Sequence, residues 1–180
     1  AAYVQTCLRS ALEQEVPADL EIVVTDDGSS DDTVDRIQAL QDERISLHVL
    51  LHNRGACIAL NDAILRARGD YIAVLNSDDY FLPGKLALQL QVLQAHPQVG
   101  AVFGLPAFIN EQGQVFDDPQ HRDRHAFVAA ERNRFQWLRH FFDQGNALCH
   151  PTVLIRREVY QRIGLYDPRL AQVPDLDMWI

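Results

Sequence analysis

The 180-residue chain is 47% hydrophobic and 23% charged, which suits one globular domain with a real core and excludes a disordered segment. A formal charge of -9 excludes a general nucleic-acid binder, because neutralising phosphates needs a basic face. It does not exclude an anionic ligand, since a bound cation reverses the sign locally. The longest apolar run, Val99 to Ile109, contains Gly104 and Pro106 and is too short to span a bilayer. The N-terminus also lacks the basic-then-apolar pattern of a secretory leader. Cys7, Cys57 and Cys149 are odd in number and far apart, without zinc spacing, so the expectation is reduced thiols in a cytoplasmic protein.

In chain order, a helix is expected over Tyr3 to Gln14, then a β-branched strand, Glu21 to Thr25, ending at Asp26-Asp27-Gly28-Ser29. Acidic Asp31 and Asp32 precede a helix over Thr33 to Leu40, as suits a helix N-terminus. A strand follows over Ile45 to Leu51, then a helix over Ala56 to Ala67 with Gly69 as its closing residue. Tyr71 to Leu75 reads as a strand ending at Asn76-Ser77-Asp78-Asp79. Pro83 introduces a helix over Lys85 to Ala95, and Val99 to Ile109 gives another strand. Asn110 to Arg134, with His121 and His125, reads as irregular and solvent-facing. An aromatic helix over Phe135 to Phe142, a strand over Thr152 to Ile155 and a helix over Glu158 to Ile163 complete the series.

Alternation of strand and helix predicts a mainly parallel sheet with helices on both faces and ligands bound beyond the carboxyl ends of the strands. Two acidic clusters fall at such ends, after EIVVT and after YIAVL. Asp78 and Asp79 read either as turn and cap residues or as oxygen ligands for a hard cation whose other positions are taken by water and a diphosphate. Asp27 reads either as a turn residue or as an acceptor for a nucleobase or ribose, with Gly28 allowing close backbone approach. Ser29 has the same two readings, helix cap or nucleotide contact. Trp137, Phe141, Phe142 and Trp179 could stack on a sugar face, although core packing is the commoner fate of such rings.

The runs EIVVTDDGSSDDT (21–33), NRGACIALNDAI (53–64), GDYIAVLNSDDYFLPGKL (69–86), HPTVLIRREVYQRIGLYDP (150–168) and PDLDMWI (174–180) together resemble family 2 glycosyltransferases. The resemblance implies a GT-A fold, a three-layer α/β/α sandwich, and inverting transfer of a sugar from a nucleotide-diphosphate sugar to an acceptor hydroxyl. It implies Mn²⁺ or Mg²⁺ at Asp78 and Asp79, and a nucleotide-sugar site comprising Asp27, Gly28, Ser29, Arg54, Gly55, Asn76, Ser77 and Asp78. Asp175 matches the general base, Asp177 is the neighbouring alternative, and His150 and Trp179 fall on the acceptor or diphosphate side. The implied acceptor is a cell-surface glycan or a lipid-linked one, met at the inner face of a membrane with which the protein associates peripherally. Residues 1–110 would form the nucleotide-sugar half of one domain and 111–180 the acceptor half.

Three positions depart from the family pattern. Asn76 stands where the first aspartate of the DxD motif is usual, and Pro174 stands where a glutamate normally precedes the base. The family's opening strand has no counterpart before Tyr3, so the sequence reads as truncated at both ends. A degenerate nucleotide-sugar-binding domain and a sugar nucleotidyltransferase are the competing readings; the latter normally has a Gly-rich basic loop, which this sequence lacks.

Overall fold

A computed structural model describes residues 2–110, 112–116, 126–127, 130–170 and 174–180, with the side chain of Pro174 excepted. His121 and His125 lie outside the described residues. The helices are α1 (Val4–Leu12), α2 (Thr33–Gln38), α3 (Ala56–Arg66), α4 (Lys85–Ala95), α5 (Arg134–Gln144), α6 (Arg157–Ile163) and α7 (Pro174–Trp179). The strands are β1 (Ile22–Asp26), β2 (Ile45–Val49), β3 (Tyr71–Ala73), β4 (Ala101–Val102) and β5 (Leu154–Arg156).

The α/β class expected from the alternating pattern is present. β1 and β2 pair in parallel, from Ile22 with Ile45 to Asp26 with Val49. β5 lies between β3 and β4 and is antiparallel to both, so β3 and β4 run in the same direction. Several elements are shorter than their apolar patterns. Of the run from Val99 to Ile109 only Ala101–Val102 forms a ladder, because Gly104 and Pro106 interrupt it; Ile109 makes an isolated bridge to Val115. α3 is capped at Ala67 rather than closed by Gly69, whose N–H donates instead to Glu21 Oε1 at 2.9 Å. The same oxygen accepts from Arg68 N at 2.6 Å, so Glu21 ties the start of β1 to the approach to β3.

The period-two alternation of β3 and β5 separates two cores. Ile72 and Ile155 join Cys57, Ile64, Val153, Tyr160 and Tyr166 on the side of α3 and α6. Leu154 faces the other way, with Phe81, Leu86, Leu90 and Leu93 of the α4 side, and Tyr71 and Ala73 pack against that group. A third cluster, Val4, Leu8 and Ile37, seals α1 and α2 against β1 and β2. Helices therefore cover both faces, and the strand ends carry the acidic turns.

Two buried polar groups lock these layers. Gln89, on α4, donates from Nε2 to Thr152 O at 2.7 Å and Val102 O at 3.0 Å, while its Oε1 accepts from Lys85 Nζ at 2.8 Å. Tyr166 is the largest of the fully buried side chains among the described residues, and its polar end is partnered: its hydroxyl meets His150 Nε2 at 2.8 Å and Tyr160 Oη at 3.2 Å. Asn61 of α3 grips the Tyr166 backbone from both sides, donating to its carbonyl at 2.7 Å and accepting from its N–H at 3.0 Å.

Gln89→Leu should lower stability by about 2–4 kcal/mol, measured by urea unfolding, because it strands two carbonyls and removes the oxygen that holds the Lys85 ammonium. Burial holds the His150 pKa below its ordinary value, with Asp175 partly opposing. The folded state therefore favours neutral His150, and its stabilising contribution is lost as pH falls through the unfolded value near 6.5. Thermal melts of wild type and His150→Gln between neutral and mildly acid pH should show the steeper acid loss in wild type.

Candidate active site

The turn after β1 is built by Asp26, not by Asp27. Asp26 is buried, and its two oxygens accept from Ser29 N at 2.8 Å and Ser29 Oγ at 2.6 Å, so Ser29 closes this turn. Gly28, at φ 75°, lies so close to the β2–α3 connection that an added Cβ would stand 2.8 Å from His52 C and 2.9 Å from Asn53 N. A side chain there would force the two loops apart.

That close approach lets Asp27 reach across. Its Oδ1 accepts from Arg54 N at 2.7 Å and its Oδ2 from Gly55 N at 2.8 Å. Gly55 is the N-cap of α3, with φ 93°. Asp27, Gly28, Arg54 and Gly55 thus form one assembly at the carboxyl ends of β1 and β2. Each Asp27 oxygen keeps a further acceptor site, since a carboxylate has about four lone-pair positions.

The second acidic cluster follows β3. Asn76, Ser77 and Asp78 are exposed and Asp79 is half-buried. Asp79 N donates to Asn76 O at 3.1 Å, and the Asn76 amide donates back to Asp79 Oδ2 at 3.0 Å. Burial, reinforced by the Asp78 charge, pushes the Asp79 pKa above the usual carboxylate range, with the Asn76 hydrogen bond opposing. Cys7 of α1 donates to Asn76 O at 3.3 Å, and burial with the charges of Asp79 and Asp78 pushes its thiol up to about 12. Two adjacent carboxylates, one exposed and the other half-buried beside its charge, are a donor set suited to a hard divalent cation. Among the described residues no third carboxylate, histidine or cysteine completes a metal cage. The remaining ligands would therefore come from water and a phosphate-bearing substrate, as is usual for Mg²⁺.

The third component comes from the C-terminal part. Asp175 lies in the first turn of α7. Its Oδ2 accepts from Asn146 Nδ2 at 2.5 Å and its Oδ1 from Leu176 N at 2.9 Å, so its orientation is fixed although Pro174 precedes it. The charge of Asp175 is felt by His150, Cys149 and Tyr166. Trp179 packs edge-on against Phe103 at 4.8 Å and lies 6.0 Å from His150; its buried Nε1 has no hydrogen-bond partner among the described residues. Asp177 is exposed and acts on Arg169, outside this group.

Cys149 joins the second and third components. Burial, then Asp79, then Asp175 push its thiol up to about 11, and Lys85 opposes them. Lys85 Nζ sits 4.1 Å from the Phe81 ring centroid, and burial pulls its pKa down to about 8. The carboxylate of the β3 turn, the carboxylate of α7 and one half-buried cation therefore share one neighbourhood. Lys85, Asn146 and Asp26 were absent from the sequence-based site. Asn146 had a visible signal in its place four residues before His150, inside a Gly-Asn break that ends α5.

The family model described as Glycosyl transferase family 2 matches residues 1–164. An uncharacterised glycosyltransferase of Methanocaldococcus jannaschii is 25% identical over 180 residues, 99% of this chain and 59% of the relative. The glucosyltransferase WfaP of Escherichia coli, named for UDP-Glc and α-D-GlcNAc-diphosphoundecaprenol, is 39% identical over 87 residues, 48% of this chain and 34% of that protein. Among solved structures, the mannosyltransferase PcManGT from Pyrobaculum calidifontis in complex with GDP-Man and Mn²⁺ superposes with a TM-score of 0.68 at 23% identity, covering 99% of this chain and 47% of that one. The chain thus spans about half the length of the relatives that it matches from end to end. With nearly the whole sequence matched and the GT-A architecture shared, this chain belongs to glycosyltransferase family 2.

Proposed function

We propose that this chain carries the donor site and catalytic base of an inverting, divalent-metal-dependent glycosyltransferase that transfers a sugar from a nucleotide-diphosphate sugar to an acceptor hydroxyl. The observation that carries the reading is the convergence of the Asp78–Asp79 turn and the separately oriented Asp175 around Cys149. PcManGT, which shares this fold, was crystallised with a nucleotide sugar and Mn²⁺. Residues 1–110 supply the nucleotide-sugar side in this reading, and the acceptor meets the later half.

Asp27 offers its free lone pairs to the base or ribose while its other lone pairs hold Arg54 and Gly55 in place. Asn76 and Ser77, exposed at the end of β3, lie where the ribose and diphosphate would pass. Asp78 and Asp79 would hold Mn²⁺ or Mg²⁺, which when bound neutralises the diphosphate and stabilises the departing nucleotide. Without a cation the same pair would reject a diphosphate, since like charges about 4 Å apart repel by roughly 4 kcal/mol at an effective dielectric of 20.

Asp175 acts as the general base. It accepts the acceptor's hydroxyl proton as the new glycosidic bond forms, and attack opposite the leaving diphosphate inverts the anomeric carbon. Placement matters more than basicity for such a carboxylate, and Asn146 with Leu176 N supplies the placement. The acceptor is proposed as a cell-surface glycan or lipid-linked sugar handled on the cytoplasmic side; WfaP, named for α-D-GlcNAc-diphosphoundecaprenol, supports the lipid-linked form. A nucleotide-sugar-binding domain without turnover is the second reading, favoured by the amide of Asn76 in place of a carboxylate.

Calorimetric titration with UDP, GDP and dTDP should show binding to at least one that requires Mn²⁺. Asp78→Ala should weaken that binding by at least about tenfold. Asp175→Asn should leave nucleotide binding intact and lower transfer by about 10²-fold or more. Metal-independent binding unchanged in Asp78→Ala would sink the site assignment, and transfer surviving Asp175→Asn would remove the base.

A further inference from the structure

Helix α5 presents two aromatic faces, and the fold uses only one. A capping box fixes its start: Asn133 Oδ1 accepts from Phe135 N and Gln136 N, and Gln136 Oε1 accepts from Asn133 N. On the inner face Phe141 is buried and lies 5.3 Å from the Trp137 ring, which the Arg132 guanidinium covers at 4.7 Å. Trp137, with Phe103, Leu105 and Leu148, lines a cavity of about 430 Å³. That cavity also touches Ala147, next to the Asn146 that holds Asp175, so it borders the acceptor side of the site.

The outer face is different. Phe135, Leu138 and Phe142 recur at i, i+3 and i+7 and are 65%, 39% and 92% exposed. At about 100° per residue they form one narrow ridge, with Arg134 on one flank and Arg139 on the other. The Arg134 guanidinium folds over the Phe135 ring at 4.5 Å, and Arg139, 85% exposed, is 3.3 Å from Asp143. An aromatic ridge flanked by two arginines, one of them ion-paired with Asp143, stands out on a chain whose net charge is -9.

We propose that this face of α5 docks on an anionic lipid surface, with Phe135, Leu138 and Phe142 in the interface and Arg134 and Arg139 at the headgroups. Aromatic rings beside arginines on a short amphipathic helix suit a headgroup boundary, where the rings lose water and the guanidinium groups stay hydrated. Three side chains in a row are too narrow for a stable protein interface, which needs about 800 Å² per partner. The acidic remainder of the chain is repelled by the same lipids, so docking through α5 orients the molecule. The apolar cavity lies on the opposite, inner face of α5, so the helix, about 10–12 Å thick, stands between it and the headgroups, and a lipid-linked acceptor would present its sugar past the helix. This last step rests on the transfer reading above; the docking itself does not.

Co-sedimentation of the chain with vesicles of phosphatidylcholine, or of phosphatidylcholine and phosphatidylglycerol in equal parts, tests the proposal. Wild type should partition onto the anionic vesicles and be released by high salt. Phe135→Gln with Phe142→Gln should lower partitioning by about tenfold or more, and Arg134→Gln with Arg139→Gln should abolish the preference for phosphatidylglycerol. All four changes are on exposed side chains, and Mn²⁺-dependent nucleotide titration of each variant should match wild type. Wild type left in the supernatant with both vesicles overturns the proposal. So does equal partitioning of the phenylalanine variant, or a wild-type dimer in ultracentrifugation that those substitutions dissociate. Loss of vesicle binding with intact nucleotide binding, or the reverse, tells the two readings apart.

Discussion

The site exists because β5 is hydrogen-bonded on both edges. Leu154 pairs with Ala73 on one side and Val102 on the other, and Ile155 with Ile72 and Ala101. This pins the preceding turn, Cys149 to Thr152, to the end of β3 where Asp78 and Asp79 stand. Thr152 Oγ1 donates to Cys149 O at 2.6 Å and accepts from Gly104 N at 3.1 Å, so the turn is held within its own loop and to the β4 exit. Because Leu154 and Ile155 each enter a different core, a slip of one residue would exchange them and open both. The position of the two turns is thus set by packing in the cores on either side of β5.

Around that turn the protein concentrates negative charge and offsets it little. Cys7 and Cys149 stay as thiols, pushed up by burial and by the neighbouring carboxylates. They fill space beside the acidic turns as small apolar groups and add no charge. Lys85 is the counterweight, but its ammonium is half-buried and bonded to the Gln89 amide rather than to a carboxylate. Gln89 cannot turn away, because its own amide nitrogen is committed to two carbonyls. A fixed, partly compensated negative region is what a cation with its phosphate ligand would complete.

Much of this was legible in the sequence where the signal is local. The helices began and ended within a few residues of their apolar patterns, and α4 was read to the residue. The two acidic turns were placed at strand ends correctly because a β-branched run followed by Asp, Asn, Gly and Ser is a short-range pattern. What escaped depends on distant pairing. Nothing in TVLI says that β5 runs antiparallel between β3 and β4, since that follows from which neighbours share the sheet. Asn146 meets Asp175 across 29 positions, and Lys85 reads as an ordinary first-turn residue until burial is known. Asp26 and Asp27 are adjacent and chemically identical, so only the folded loops show that one closes its own turn and the other holds Arg54 and Gly55.

Asn76 shows how such a departure acts on the energetics. An aspartate there would place a third negative charge beside Asp78 and Asp79. At about 4 Å and an effective dielectric of 20, each further like charge costs roughly 4 kcal/mol before a cation arrives. The amide instead donates to Asp79 Oδ2 at 3.0 Å, favouring the ionised form that burial and Asp78 disfavour. It removes a repulsion and adds a hydrogen bond in the same place. The amide therefore eases the cost of ionising Asp79, while Asp78 beside it stays exposed.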